Sequence, residues 1–324
     1  MVQSVASRNR ITDHSLNTIK KKPKIAVLYA AFMSGGAESV CLWIIEALKE
    51  DYDLTLITFT AVDWKKINRT YGTQLSEKSI KTVTALPRFL TPLITYLLGN
   101  ISPIYPWRQH LLMRYFKKRY MRYDLAISAY NEMDLQNPGI QYVHAPGFSL
   151  GRRRQERLSG YSAERMKQNL TLTCSAFVAN NVHKLHGIHA NVVFPPVASE
   201  FPRVEWDAKD YSFICCGRIH PEKEQHRAIE VLKAVRDAGY PVQLHIVGTN
   251  TNKDYLNKLY RLQRDKKDWV RLHVECPRDE YIELLNRSKF AIHFRIEGFG
   301  ITIAELMKVG CIPFVYEVGG QREV

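Results

Sequence analysis

Residues 289–310, KFAIHFRIEGFGITIAELMKVG, carry the clearest structural signal in the chain. The apolar run at 289–294 predicts a buried strand, and the pattern after Gly300 predicts a helix that ends at Gly310. Strands that alternate with helices in this way form parallel α/β sheets, whose ligands bind at the carboxyl ends of the strands. The turn between this strand and this helix is therefore a candidate binding site.

The chemistry of that turn favours an anion flanked by hydroxyl groups. Gly298 and Gly300 allow a tight turn with accessible N–H groups, and the positive end of the next helix lies behind them. The carboxylates of Glu297 and Glu305 could accept hydrogen bonds from neutral hydroxyls beside the anion. An ordinary strand-to-helix turn with two solvated glutamates is the alternative that these residues alone leave open.

The rest of the second half continues the α/β pattern. Strands are predicted at 211–216, 242–248, 269–275 and 312–316, with helices at 252–267 and 279–287. Gly217, Arg218, Pro221 and Lys223 follow the first of these strands, and Pro221 suits a first helical turn. The two cations would bracket the carboxyl end of the strand, as groups that hold a diphosphate should, although surface charges would give the same sequence.

The first half has the same alternation. Strands are predicted at 24–31, 53–59, 124–130, 140–144, 170–175 and 191–194. Gly35 and Gly36 precede a helix that extends to about residue 50, and adjacent glycines there suit either a phosphate cradle or a plain turn. His144 ends a strand just before a Pro-Gly turn, which directs it toward the ligand-binding edge of the sheet, although a lone histidine with a purely structural role would give the same sequence.

Composition narrows the class of protein. The chain has 324 residues, enough for two domains, and its 45% hydrophobic and 24% charged content is typical of globular proteins. Six scattered cysteines without a Cys-x-x-Cys pair predict free buried thiols in a reducing cytoplasm. No apolar run is long enough to span a bilayer, and the polar head at 1–22 lacks a signal-peptide core, which predicts a disordered leader.

Positive charge is concentrated in the first half. Residues 1–197 carry 26 Lys and Arg against 13 Asp and Glu, and the whole chain has a formal net charge of +14. Residues 107–122 contain six basic residues, no acid, and an apolar stripe at helical spacing. This pattern predicts a helix that either covers the sheet with a wet basic face or contacts an anionic membrane surface.

A second basic segment follows the predicted strand that ends at His144. Arg152, Arg153 and Arg154 lie in a predicted loop beside the cleft, which is either an ordinary solvated loop or a contact for an anionic acceptor such as a pyrophosphate-linked lipid. The sequence contains no recognised nucleic-acid-binding module, and we do not expect nucleic acid as a partner. It also lacks a Gly-x-Gly-x-x-Gly motif, which argues against a dehydrogenase.

The sequence Glu-Gly-Phe-Gly at 297–300, with Glu305 eight residues after Glu297 and a Met, a Gly and a strand beyond it, resembles the donor-sugar signature of the retaining GT-B glycosyltransferases of family 4. The run TCSAFVANNVHKLHGIHANVVFPPV at 173–197 is similar to the same family. The resemblance implies two Rossmann-like α/β domains that face each other across a cleft, with the last elements of the C-terminal domain missing. The predicted parts are a leader at 1–22, an acceptor-side domain at 23–197, a linker at 198–210 and a nucleotide-sugar domain at 211–324.

The resemblance also implies a reaction: transfer of a sugar from a nucleoside diphosphate sugar to a glycan or lipid-linked acceptor, with retention at the anomeric carbon. Such an enzyme serves polysaccharide biosynthesis and is expected in the cytoplasm or peripherally on the cytoplasmic membrane face. No metal and no cofactor beyond the sugar nucleotide is expected. The residues that the family pattern assigns to chemistry are His144, Arg218, Lys223 and Glu297, and those that it assigns to donor binding are Gly35, Gly36, Gly217, Gly298, Phe299, Gly300, Ile301 and Glu305.

Other uses of the same fold remain open from the sequence. A nucleotide-sugar epimerase or a phosphorylase would share the donor site, and it would release an epimer or a sugar phosphate without a separate acceptor. A non-catalytic partner subunit would bind the donor without turning it over.

Overall fold

The computed structural model describes residues 21–32, 35–86, 90, 105–147, 153–197, 201–202 and 204–324. Most of the predicted leader, most of the proline-rich stretch at 87–106, Arg152 and part of the predicted linker lie outside the described residues. Within the described residues, no helix combines the length and the apolar character that crossing a bilayer requires.

The first domain is built on a parallel sheet of seven strands in the order β3-β2-β1-β4-β5-β6-β7. Long apolar runs such as Ile25 to Leu28 are buried on both faces, as expected for strands of a parallel sheet. The strands are β1 Lys24–Leu28, β2 Asp53–Thr58, β3 Lys81–Thr84, β4 Leu125–Ser128, β5 Ile140–Val143, β6 Leu170–Thr173 and β7 Asn191–Val192.

Among the described residues, six α-helices connect or cover these strands: α1 Gly36–Leu48, α2 Trp64–Tyr71, α3 Tyr105–Lys117, α4 Arg153–Ser159, α5 Ala163–Lys167 and α6 Ala176–His186. Side-chain caps fix several of their starts, as when Ser175 accepts a hydrogen bond from the Val178 amide at 3.1 Å. Gly72 and Gly187 end α2 and α6 in the left-handed conformation, which glycine adopts at little cost.

The second domain contains a parallel sheet of five strands in the order β10-β9-β8-β11-β12. Helices cover both faces of this sheet, so the domain is a three-layer α/β unit. The strands are β8 Asp210–Cys216, β9 Gln243–Gly248, β10 Val270–Val274, β11 Ser288–Ile292 and β12 Ile312–Phe314, and the helices are α7 Gln225–Asp237, α8 Lys253–Gln263, α9 Arg278–Arg287 and α10 Ile301–Lys308.

The predicted fold class is confirmed: two parallel α/β domains face each other, and every strand predicted from the sequence is present within a few residues. The structure adds helix α2 and strand β3, which the sequence analysis did not predict. It also corrects two local predictions. The basic segment at 153–159 is a helix and not a loop, and Pro221 begins a short 3-10 turn, after which α7 starts at Gln225.

A buried ion cluster stabilises the first domain behind β5. The Asp134 side chain is fully buried, and Lys117 and Arg165 donate to it at 2.5 and 2.7 Å. Burial alone would raise the pKa of Asp134, but the hydrogen bonds from Arg165 and Lys117 lower it below its ordinary value. The carboxylate therefore stays charged in the folded protein and ties α3 to the start of α5.

Replacement of Asp134 by Asn should lower the free energy of unfolding by about 3–5 kcal/mol at pH 7, because Lys117 would keep a buried charge without its partner. Urea denaturation followed by circular dichroism measures this loss. Asp237→Asn is the matched control, since its pair with Lys233 is exposed and should contribute less than about 1 kcal/mol. Equal losses in the two variants would contradict the assignment of Asp134 as a structural charge.

Candidate functional site

An open cleft with a volume of about 1090 Å³ separates the two domains and is lined by loops that follow the strands of both sheets. Because parallel strands end at one edge of each sheet, the loops after them meet in this cleft. The sequence-predicted residues that line it are Gly35, Gly36, His144, Gly217, Arg218, Lys223, Glu297, Gly298, Phe299, Gly300 and Ile301.

The centre of the C-terminal side of the cleft is a charged triad. The Lys223 ammonium forms an ion pair with the Glu297 carboxylate, and His293 Nε2 lies 2.9 Å from the same oxygen of Glu297. Burial would raise the pKa of Glu297, but the hydrogen bond from His293 and the charge of Lys223 lower it to about 2. Glu297 is therefore an anion throughout the physiological range, with hydrogen-bonding capacity left for other donors.

Gln321 fixes the position of Glu297 from behind. Its side-chain oxygen accepts a hydrogen bond from the Glu297 amide at 2.6 Å, and its side-chain nitrogen donates to the carbonyls of Arg295 and Tyr316 at 3.3 and 3.0 Å. The Gly320 amide donates to the Glu297 carbonyl at 2.9 Å. The sequence analysis did not predict this support, because the loop after β12 is distant in sequence and has no pattern that reveals its partner.

The glycine turn brings the helix amides of the second domain into the cleft. Gly300 has a φ of 103° and precedes α10, whose first turn has no side-chain cap. A Cβ at Gly298 would come within 2.9 Å of the His144 carbonyl, so the turn lies against the end of β5 in the other domain. A Cβ at Gly36 would lie 3.2 Å from the Ile301 side chain, which places the Gly-Gly pair on the opposite wall.

His144 enters the cleft as a neutral imidazole. Its Nε2 lies 3.3 Å from the Ala129 carbonyl, which can only accept, so that nitrogen carries the proton and Nδ1 is an acceptor. Burial lowers the pKa of His144 to about 4 despite this hydrogen bond. The side chain of Asn131 accepts hydrogen bonds from the amides of His144 and Ala145, both at 2.9 Å, and so holds the end of the strand in place.

Arg218 completes the cationic side of the cleft. Its side chain is exposed and forms no ion pair within the part of the chain that the structure describes. Gly217 precedes it with a φ of 147°, and a Cβ at Gly248 would clash with the Gly217 carbonyl at 1.8 Å. The backbone path that presents Arg218 therefore requires glycine at both positions.

Some predicted residues lie elsewhere. Glu305 is buried on α10, where it binds Arg278 and Tyr281, and it is not among the residues that line the cleft. Arg153 and Arg154 are exposed on α4 and also do not line the cleft, so the predicted basic loop is not part of its described wall. Among the described residues, no group of three or more His, Cys, Asp or Glu side chains could hold a metal ion.

Two contacts join the domains next to the glycine turn. The Ser175 hydroxyl donates to the Gly298 carbonyl at 2.5 Å while it caps α6. Glu323, from the second domain, accepts hydrogen bonds from the amides of Ala176 and Phe177 at 2.7 and 2.9 Å. A carboxylate at the positive end of a helix is electrostatically favourable, so these contacts stabilise this arrangement of the domains.

Comparison with known proteins gives a family-model match in the second half of the chain. Residues 197–324 match the model of the family described as "Glycosyl transferases group 1". The match supports a group 1 glycosyltransferase. It contains Arg218, Lys223, Glu297 and the glycine turn, so it covers the whole C-terminal side of the cleft.

The curated relatives match only part of the chain. One is a GDP-Man:Man(3)GlcNAc(2)-PP-Dol alpha-1,2-mannosyltransferase of Caenorhabditis elegans, 27% identical over 150 residues, which are 41% of this chain and 32% of that protein. The enzyme of the same name from Yarrowia lipolytica is 26% identical over 152 residues, 41% of this chain and 24% of that protein. The chain therefore spans only 24% to 32% of the length of these relatives.

Solved structures show the fold across almost the whole chain. Anabaena Alr3699/HepE in complex with UDP and glucose superposes with a TM-score of 0.61 at 16% identity, covering 93% of this chain and 82% of that one. WaaG, a glycosyltransferase involved in lipopolysaccharide biosynthesis, gives a TM-score of 0.61 at 13% identity with 92% and 82% coverage. At these identities the likeness establishes the GT-B fold and nothing finer.

The protonation state of His144 gives a direct test of the geometry of the cleft. The His144 ring should stay neutral as the pH falls and take up a proton only near pH 4, because the charged form is poorly solvated there. Titration by 1H-15N NMR of histidine-labelled protein measures this. His144→Gln identifies the signal, and a midpoint near 6.5 for that signal would show that the ring is solvated and does not lie as described.

Proposed function

We propose that this protein transfers a sugar from a nucleoside diphosphate sugar to a glycan or lipid-linked acceptor, with retention at the anomeric carbon. The observation that carries the proposal is the meeting of Lys223, Glu297 and the glycine turn at one point of the interdomain cleft, with Arg218 on the same side. Cations and helix amides suit a diphosphate, and an adjacent, partly buried carboxylate suits sugar hydroxyls. The family match over the same residues supports this combination.

Catalysis would come from stabilising the leaving group. The bond between the anomeric carbon and the diphosphate oxygen breaks, and negative charge grows on the diphosphate beside Arg218, Lys223 and the amides that begin α10. The acceptor oxygen bonds to the anomeric carbon, and its proton passes to the leaving phosphate. No metal is required in this scheme, because the cations of the protein supply the positive charge.

Glu297 and His144 would bind the sugar itself. Glu297 remains ionised and can accept from two hydroxyls, since Lys223 and His293 contact only one of its oxygens. His144 lies beside the glycine turn, and its unprotonated Nδ1 can accept from a further hydroxyl. With a pKa of about 4, this imidazole is a hydrogen-bond partner of the sugar and a weak base.

The acceptor would bind mainly to the first domain. The curated relatives are named for a GDP-mannose donor and a PP-Dol-linked acceptor, and the net positive charge of residues 1–197 suits a phosphate-bearing acceptor of this kind. We therefore favour a hexosyl donor and a lipid-linked glycan acceptor.

The decisive test uses donor nucleotides, which need no acceptor. A thermal-shift panel of UDP, GDP, ADP and their glucose and mannose derivatives should show one base whose diphosphate stabilises the protein, with a further increment for its sugar. Lys223→Met should weaken binding of the diphosphate itself. Glu297→Gln should keep much of the diphosphate binding, lose the increment from the sugar, and lower donor turnover by about 10²-fold or more.

Glu283→Gln is the matched control, because this exposed carboxylate on α9 pairs with Arg287 outside the cleft. It should behave as the unmodified protein does. Absence of binding by every nucleotide in the panel would refute the proposal. Release of an epimer or a free sugar phosphate would favour an epimerase or a phosphorylase, and binding without any turnover would favour a non-catalytic subunit.

The outer face of α3 supports a further proposal, contact with an anionic membrane surface. Part of the predicted apolar stripe is buried and part is exposed. Leu112 and Phe116 lie in the core, whereas Trp107 and Leu111 remain 37% and 42% exposed. Arg114 and Lys118 continue the exposed face at helical spacing. Basic and apolar side chains on one face favour the surface of an anionic bilayer, where a lipid-linked acceptor would be found.

Replacement of both Arg114 and Lys118 by Glu should reduce co-sedimentation with phosphatidylglycerol vesicles by about tenfold or more, because each basic residue near an anionic surface contributes about 1 kcal/mol. Binding by the unmodified protein should fall with added salt. Lys267→Glu, an exposed charge of the second domain, is the control and should have little effect. Equal binding to neutral phosphatidylcholine vesicles would exclude this membrane role.

A further inference from the structure

The first domain presents a strongly basic side chain to the cleft. Arg108, on α3, lines the cleft and is only 6% exposed, so it lies in the cleft wall and not on the outer surface. Among the described residues of the first domain that line the cleft, it is the one Lys or Arg. Arg153 and Arg154, for which the sequence favours a contact with an anionic acceptor, lie outside that lining.

Aromatic contacts fix the position of the Arg108 guanidinium. Its central carbon lies 5.3 Å from the centre of the Tyr130 ring, and the Tyr130 ring lies 6.1 Å from that of His144, centre to centre. No more than the sum of these two distances therefore separates the guanidinium from the imidazole. The Gln109 side chain holds the same region by donating to the Tyr130 carbonyl at 2.6 Å. Arg108 is thus a near neighbour of the residue proposed to bind the transferred sugar.

We propose that Arg108 binds a phosphate of a lipid-linked acceptor, and that this phosphate lies close to the hydroxyl that receives the transferred sugar. This inference rests on the function proposed above, and it narrows the acceptor of that reaction. A lipid-linked acceptor with a short glycan meets the condition, whereas a long glycan would place its diphosphate far from the reacting hydroxyl.

The chemistry of the arginine side chain suits this ligand. Arginine keeps its charge, and its planar set of N–H donors matches two phosphate oxygens at once. An ion pair formed in a cleft wall is screened by salt much less than one on the surface. The contribution of Arg108 to binding should therefore depend on the charge of the ligand and on the shape of the guanidinium.

One acidic side chain also lines the first domain's side of the cleft. Glu38 lies at the start of α1, where its charge, together with burial, raises the pKa of the neighbouring Tyr29 well above its ordinary value. A phosphate beside Glu38 would be repelled, whereas one beside Arg108 would be attracted. The charges of this wall therefore favour the α3 side for an anion.

Helix α3 connects this position with the membrane face proposed above. Trp107, the residue before Arg108, is 37% exposed on that face. Successive residues of an α-helix point about 100° apart, so α3 can present Trp107 to a bilayer and Arg108 to the cleft. A phosphate that joins a glycan to a lipid would lie between these two surfaces, which favours a lipid-linked source over a soluble one.

A purely structural role for Arg108 makes a different forecast. If the guanidinium only packs α3 against Tyr130, its loss would lower stability and would weaken charged and uncharged ligands equally. If it binds the phosphate, its loss would weaken only the charged ligands. Comparison of a lipid diphosphate with the corresponding alcohol on the same variant therefore separates the two roles.

The test uses geranyl diphosphate, geraniol and inorganic pyrophosphate as probes in isothermal titration calorimetry. Whichever of UDP, GDP and ADP binds is first added to saturation, so that the probes do not occupy the donor site. The unmodified protein should bind geranyl diphosphate at least about tenfold more tightly than geraniol, as expected for hydrogen bonds to a charged group. Pyrophosphate should bind more weakly than geranyl diphosphate, because it lacks the lipid.

Arg108→Gln should remove most of the preference for geranyl diphosphate over geraniol and leave the dissociation constant of the nucleotide within about twofold. Arg108→Lys keeps the charge but loses the planar donors, so it should retain only part of the preference. In histidine-labelled protein, geranyl diphosphate should shift the 1H-15N NMR signals of the His144 ring, and Arg108→Gln should abolish this shift.

Arg119→Gln is the matched control, because Arg119 stacks on the Tyr115 ring at 3.8 Å in the same domain but does not line the cleft. Its preference should be unchanged. An unchanged preference in Arg108→Gln, an equal weakening of geranyl diphosphate and geraniol, or binding without a shift of the His144 signals would each overturn the inference. Equal affinity for pyrophosphate and geranyl diphosphate would overturn the lipid-linked source. Failure of all three nucleoside diphosphates to bind would instead refute the proposed function.

Discussion

The constraint on which the cleft depends is the partial burial of one charged carboxylate, that of Glu297. A buried ionised carboxylate is costly unless charges and hydrogen bonds compensate it, and here Lys223 and His293 provide that compensation at one of its oxygens. Gln321 then fixes the backbone of Glu297 by accepting a hydrogen bond from its amide. The result is an anion that remains charged and correctly placed before any ligand arrives, which is the property that a preorganised site requires.

The same residues explain why the site needs two sheets. Lys223 lies in the segment after β8, whereas Glu297 and the glycine turn lie in the segment after β11. Strands β8 and β11 are neighbours in the second sheet. Because both strands are parallel, their following segments emerge at the same edge and meet without a long loop. The first domain adds His144 at the end of β5 and the glycines before α1, so it closes the cleft from the other side.

Much of this could be predicted from the sequence where a local pattern sufficed. Buried strands in parallel sheets are continuous apolar runs, and the glycines at 298 and 300 mark a turn that few other residues could form. The prediction failed where the signal was weak or non-local. Strand β3, Lys-Thr-Val-Thr, has one apolar residue and lies at the edge of its sheet, and α4 contains four charged residues that resemble a solvated loop.

The placement of Glu305 illustrates the limit most clearly. Helical spacing could place it one turn behind the glycine turn, but its direction depends on Arg278 and Tyr281, which precede it by more than twenty residues. No periodic pattern links a carboxylate to partners on another helix, since that link is made by the packing of α9 against the same face of the sheet as α10.

The contacts between the domains suggest that donor binding and domain position are coupled. Ser175 holds the carbonyl of Gly298, and Glu323 holds the start of α6 only two residues beyond Gln321, which supports Glu297. Any separation of the domains must therefore break hydrogen bonds made by the same two loops that shape the donor site. Contacts between domains of one chain generally permit relative motion. An opening of this cleft would thus loosen the proposed donor site as it admits or releases a ligand.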